Sequence, residues 1–161
     1  MRKNVRGVLL TPGDRILMMK LREPVTKNEF WITPGGTVEP EEDFESALYR
    51  ELKEETGREG FQIGSMIWTR ESTYTWNKRT VTHREHYYFI ETEQFNPQMM
   101  DDPESSEVKA FQGFRWWTAN KIRDSNGHFG PEGIADFLEV LIKDGIPKRP
   151  IDLGSWIHKS E

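Results

Sequence analysis

Glu51, Glu54 and Glu55 crowd a segment, 41–56, whose apolar residues recur at helical spacing. At about 100° per residue, Phe44, Ala47, Leu48 and Leu52 form one stripe. Glu51 and Glu55 fall inside that stripe, Glu54 lies at its edge and Arg50 beyond it, while Glu45, Tyr49 and Lys53 point the other way. Carboxylates on a core-facing stripe are unfavourable unless something pairs with them. Glu51 and Glu55 are also like charges one helical turn apart, which repel. One arginine is not expected to relieve three acids. A hard divalent cation would, and oxygen ligands favour magnesium or manganese. The alternative is a solvated helix with its acids on an exposed rim; Phe44, Leu48 and Leu52 argue against it.

The elements that must hold these acids can be read on either side. Val5 to Leu10 and Arg15 to Leu21 are short apolar runs separated by Thr11-Pro12-Gly13-Asp14, which reads as a hairpin. Phe30 to Ile32 is a short strand stopped by Thr33-Pro34-Gly35-Gly36. Gly57 suits the C-terminal cap of the acidic helix. Phe61 to Glu71 and Thr80 to Thr92 are strand-like, with Thr73 to Arg79 as the bend of a long hairpin. Phe95 to Glu107 reads as an acidic loop, Phe111 to Thr118 as an aromatic strand, and Pro131 to Lys143 as a second helix with Pro131 in its first turn. Strands, helix, strands, helix in 161 residues suggest an α+β or α/β sandwich in one domain. There is no cysteine, which excludes disulfides and thiolate zinc sites. The net charge of −5 argues against a generic basic nucleic-acid binder, so no DNA partner is expected. No apolar run approaches the length of a membrane span, and the expected setting is cytoplasmic.

Gly36, Glu42, Arg50, Glu51, Leu52, Glu54, Glu55 and Gly57 match the spacing G-x5-E-x7-R-E-U-x-E-E-x-G-U, where U is bulky and apolar. This resembles the Nudix box. One position departs: Arg58 stands where an apolar residue is usual. The resemblance implies an α+β fold, a Nudix-like α/β/α sandwich with a mixed sheet, over residues 1–146, followed by a tail, 147–161. It further implies a pyrophosphohydrolase that cleaves a diphosphate linkage in a nucleotide by attack of water on phosphorus, with Mg2+ or Mn2+ as cofactor. The substrates it suggests are a nucleoside triphosphate, a dinucleoside polyphosphate or a related nucleoside diphosphate derivative. By the same resemblance Glu51, Glu54 and Glu55 are catalytic metal ligands, Gly36 adds a backbone carbonyl, Glu42 supports the site, and Arg50 holds the carboxylates in place. Hydrolysis of the 5′ triphosphate end of RNA and a non-catalytic nucleotide-binding module on the same fold remain alternatives. The family's prenyl diphosphate isomerases need a cysteine, and none is present.

Family members often recruit a further acid from a downstream loop. Glu104 and Glu107 are the candidates, and Glu107 is preferred as catalytic residue because it stands closer to the aromatic strand. Phosphate contacts are expected from Lys20, Arg22 or Arg84, and base stacking from Trp31 or Tyr74, with Trp76 and Tyr87 as further aromatic candidates. Thr73 stands where ADP-ribose hydrolases carry a proline, and Tyr74 where dinucleoside polyphosphate hydrolases carry a tyrosine. The four histidines lack metal-ligand spacing. The tail is apolar enough to pack on its own domain or to embrace a second subunit as a homodimer arm, with Trp156 as its anchor.

Overall fold

The computed structural model describes residues 1–100 and 109–157. β1 (Arg2–Leu10) and β2 (Ile16–Arg22) form the expected hairpin around the 11–14 turn, where Asp14 takes the left-handed conformation. β3 (Glu29–Ile32) follows, then β4 (Gly35–Thr37) and α1 (Phe44–Thr56). The long hairpin of β5 (Met66–Trp76) and β6 (Arg79–Glu91) leads to β7 (Phe111–Trp117). α2 (Ala119–Asp124), β8 (Phe129–Gly130), α3 (Ile134–Asp144) and β9 (Ile151–Ile157) complete the chain. The strands form one mixed sheet in the order β8-β3-β2-β1-β6-β5-β9, with β4 paired to β1 and β7 to β2.

Helices cover both faces, and strand alternation divides the core accordingly. Val5 and Leu9 of β1 and Leu17 of β2 pack with Ala47, Leu48 and Leu52 of α1. Val8 and Leu10, at the opposite parity, pack with Ile122 of α2 and Ile134, Leu138 and Leu141 of α3. This is the α+β sandwich expected. β1 also forks: its Asn4–Arg6 stretch pairs with β4, whereas β2 turns away to pair with β3 and β7. The fork leaves an opening in the sheet beside β4.

Several expectations are corrected. Gly35-Gly36-Thr37 does not merely stop a strand; it is one, antiparallel to β1. The hairpin bend is not Thr73 to Arg79: β5 runs to Trp76, and only Asn77 and Lys78 turn, with φ of 49° and 68°. Such paired left-handed residues match the twist of the flanking strands. Residues 61–65 lie outside β5, and Pro131 lies outside α3. α2 has no counterpart in the sequence pattern, because six residues are too few to display a helical period. The tail forms β9, parallel to β5 at the sheet edge. Trp156 is not a buried anchor, being 38% exposed; Leu153 is the β9 side chain that reaches the core. Among the described residues no helix is long and apolar enough to cross a membrane.

Candidate active site

α1 carries the acids because both of its ends are fixed and one face is buried. Asp43 caps the N-terminus, accepting from Ser46 N at 2.8 Å, and Gly57 in the left-handed conformation ends the helix. Ala47, Leu48 and Leu52 are fully buried against the sheet, which places Glu51 and Glu55 in the protein at 8% and 2% exposure. Arg50 is engaged more widely than one cation was expected to be. Its Nε and Nη2 donate to the two oxygens of Glu42 at 2.7 and 2.8 Å, its Nη1 to Glu51 at 2.9 Å and Glu54 at 3.5 Å, and its Nη2 also to Thr37 O at 3.1 Å. Hydrogen bonding from Arg50 holds the Glu42 carboxyl down at about 2, against a partial opposing effect of burial. Glu55 faces another way and accepts from Gly35 N at 3.0 Å.

The glycine pair is required by close approach. Gly35 has φ 147°, and a Cβ there would lie 2.0 Å from Val5 O. A Cβ on Gly36 would lie 2.5 to 2.7 Å from the Glu51 carboxylate. Arg6 braces the pair from behind: its Nη1 donates to Thr33 O and Gly35 O, both at 3.2 Å. Arg6 belongs to a buried charge train. Its Nε meets Glu85 at 3.2 Å, Glu85 also takes Arg70 at 3.3 Å and the Tyr87 hydroxyl at 2.9 Å, and Arg70 reaches Glu132 at 2.7 Å. Burial pushes the Glu85 carboxyl up, but Arg6 and Arg70 outweigh it and hold it below the usual range.

Among the described residues no three acidic or histidine side chains converge as a ready metal cluster. The reason is local: Arg50 draws on Glu51 and Glu54, and Gly35 on Glu55. The donor set nevertheless fits a hard cation. Three carboxylates share one side of a helix, and the glycine that abuts the Glu51 carboxylate leaves a space that any side chain would fill.

Glu55 and Gly35 line one end of a cavity of about 570 Å³ in the opening beside β4. Apart from Thr75, its strand walls follow parity: Met19, Leu21 and Glu23 on β2 and beyond, Phe30 and Ile32 on β3, Arg70, Ser72, Tyr74 and Trp76 on β5, and Arg79, Val81, His83 and Glu85 on β6. Arg2, Arg6 and His128 also line it. Of the expected substrate contacts, Trp76 is there and so is Tyr74. Its hydroxyl lies 3.0 Å from Nδ1 of His83, which also meets the Asn4 amide at 3.1 Å. Burial first and Arg6 second push His83 down to about 4. Lys20, Arg22, Trp31 and Arg84 lie outside the lining. Lys20 and Arg22 pair with Glu29, both at 3.5 Å, Trp31 packs edge-on against Trp117 at 5.1 Å, and Arg84 bonds Thr69 at 3.2 Å. Glu104 and Glu107 lie outside the described residues. The departure at Arg58 has a local account: its guanidinium sits over the rings of Phe61 and Phe95 at 5.5 and 4.9 Å, replacing apolar packing by cation–π contact. The residues that sequence reasoning missed are Arg6, Glu23, Phe30, Arg70, Arg79, His83 and Glu85. The signal that would have found several of them is the polar alternation Arg79, His83, Glu85 along one strand face.

The NUDIX domain pattern matches residues 1–137, so this chain belongs to the Nudix family and is a Nudix-type hydrolase. No curated protein matches it. Among solved structures it resembles a NUDIX hydrolase from Nitrosomonas europaea, at 19% identity and a TM-score of 0.65 over 90% of both chains. It also resembles the MutT protein of Methanosarcina mazei, at 17% identity and TM-score 0.64 over 92% of this chain and 96% of that one. A third likeness is the NUDIX domain of Shewanella oneidensis NrtR complexed with ADP ribose, at 16% identity and TM-score 0.63 over 87% of each chain. These likenesses establish the fold.

Proposed function

We propose that this chain is a divalent-metal-dependent pyrophosphohydrolase that cleaves a diphosphate linkage in a nucleotide by attack of water on phosphorus. The observation that carries the reading is a juxtaposition. Glu55, the one acid of the α1 cluster that lines the cavity, stands with Gly35 at one end of it, and the other walls bear Phe30, Tyr74 and Trp76. Glu51, Glu54 and Glu55, with the Gly36 carbonyl, would hold magnesium or manganese. When bound, the metal neutralises phosphate oxygens and makes a coordinated water more acidic. The chain's own residues do the rest. Glu42 fixes Arg50 through two hydrogen bonds, and Arg50 in turn sets the rotamers of Glu51 and Glu54. Arg6 fixes the carbonyl of Gly35, and the Gly35 N–H orients Glu55. The aromatic walls take the planar part of a nucleotide. Glu107 remains the proposed downstream acid.

The test is a panel of nucleoside triphosphates, dinucleoside polyphosphates and ADP-ribose, incubated with magnesium or manganese and resolved by ion exchange. Metal-dependent release of a nucleoside monophosphate from at least one class is expected. A folded protein that cleaves none, or that cleaves equally well in chelator, overturns the reading.

A further inference from the structure

The strand order puts the β2–β3 and β5–β6 hairpins on opposite sides of β1, yet their ends meet across the cavity. One side chain joins them. Glu23 is 5% exposed. Its Oε2 accepts from Val25 N at 2.9 Å and Thr26 N at 2.6 Å within its own loop, and its Oε1 accepts from Asn77 N at 2.7 Å, in the turn of the other hairpin. Asn77 lies between the last ladder pair, Trp76 and Arg79, so its N–H has no place in the β5–β6 ladder. Beside this bond the ring of Phe30 meets that of Trp76 edge-to-face at 6.1 Å. Glu23, Phe30, Trp76 and Asn77 all line the cavity.

This carboxylate is held by three backbone amides, with the Thr26 side chain adding a further hydrogen bond. Burial raises its proton affinity, and the amides of Thr26 and Asn77 more than reverse that. Three amide donors on one carboxylate leave its rotamer little freedom, so the positions of the two hairpin ends are coupled. Trp76 immediately precedes Asn77, and Phe30 is the second residue of the strand that leaves the loop of Glu23.

We propose that Glu23 is a positioning residue for substrate: it fastens the β2–β3 loop to the β5–β6 turn and so holds the touching rings of Phe30 and Trp76 together as one cavity wall against which a planar heterocycle packs. This rests on the nucleotide reading above and assigns the residue that sets its selectivity for the heterocyclic part over the phosphates. The clasp does not touch the acidic end, so its loss weakens recognition of the ring and leaves recognition of the phosphates alone.

Binding, measured by calorimetry with magnesium, tests this apart from turnover. The probes are the four α,β-methylene nucleoside triphosphates and imidodiphosphate, which has no ring. Glu23→Ala is expected to raise the Kd of the tightest nucleotide at least tenfold and to leave imidodiphosphate within twofold. Trp76→Leu should do the same, and the double variant should lose little more than Trp76→Leu alone, because the two act through one contact. Amide exchange at Asn77 should quicken at least tenfold in Glu23→Ala. If that variant does not fold, Glu23→Gln, which keeps one carbonyl acceptor, is expected to give an intermediate loss confined to nucleotides. Unchanged nucleotide affinity in a folded variant, an equal loss for imidodiphosphate, or multiplicative losses in the double variant overturn the proposal. So does a wild type that binds no nucleotide. A wild type that binds but does not hydrolyse defeats the pyrophosphohydrolase reading alone.

Discussion

Gly36→Ala isolates the geometry of the acidic site from the fold. Gly36 lies outside the left-handed region, so alanine can adopt its backbone. The obstacle is the Glu51 carboxylate, 2.5 to 2.7 Å from the position of the new Cβ. Ordinary contact is about 3.5 Å, so the carboxylate must retreat by about 1 Å. That retreat breaks its 2.9 Å bond from Arg50. A hydrogen bond to a charged group contributes about 1.5–3 kcal/mol, and Arg50 keeps Glu42, so a net loss of about 1–2 kcal/mol is expected. In a domain of this size that lowers Tm by roughly 2–8 °C. Turnover should suffer far more, because a displacement of about 1 Å at a positioned group lowers rates by about 10²-fold. Gly35→Ala provides the contrast, since its Cβ would strike the Val5 carbonyl at 2.0 Å and the backbone there has φ 147°. That variant should fail to fold. Thermal melting and kcat on the same preparations read both effects. A Gly36→Ala protein with wild-type kcat would refute the placement of Glu51 at the reacting centre.

His83 gives a pH signature. It is neutral in the folded protein down to about 4, against 6.5 for a free histidine, so the unfolded chain binds more protons between those values. Stability should therefore fall as pH drops from 6.5 towards 4, by up to about 3 kcal/mol from this group, and His83→Gln should flatten that slope in urea titrations. A chain ending at Gly145 loses β9 and the Leu153 contact. The full-length protein should sediment as a monomer and the truncated one should melt earlier, whereas a full-length dimer that becomes a folded monomer would show β9 to be an intersubunit arm. Manganese titrated into the protein alone, followed by electron paramagnetic resonance, should bind weakly, and Glu54→Gln with Glu55→Gln should remove that binding. Unchanged binding in the double variant would sink the ligand assignment.

α1 was legible because its information is local. Period, cap and acid spacing all lie within residues 36–58, and the burial of Glu51 and Glu55 follows from the stripe they interrupt. The cavity wall was not, because its residues are assembled by strand pairing across long separations. Each misplaced contact fails on parity. Lys20 and Arg22 alternate with Met19, Leu21 and Glu23, Trp31 with Phe30 and Ile32, and Arg84 with His83 and Glu85; in every case the other set faces the cavity. A strand's alternation can be read from one segment, but which face is concave depends on how the whole sheet curls. Arg50 shows a second limit. Counting charges leaves one of Glu51, Glu54 and Glu55 unserved by Arg50, and Glu55 is taken by a backbone amide; what the count does not show is that the same planar fork, besides Glu51 and Glu54, also holds Glu42.

The measurement closest to the central claim is the kcat of Glu51→Gln on whichever nucleotide the wild type hydrolyses with magnesium, after circular dichroism has shown the variant to be folded. Removal of a positioned acid–base or ligand group lowers rates by about two to four orders of magnitude, and a loss of that size is predicted. The amide should also leave folding intact, since it removes one of two repelling charges from the buried side of α1. A folded Glu51→Gln protein that turns over near the wild-type rate would contradict the account.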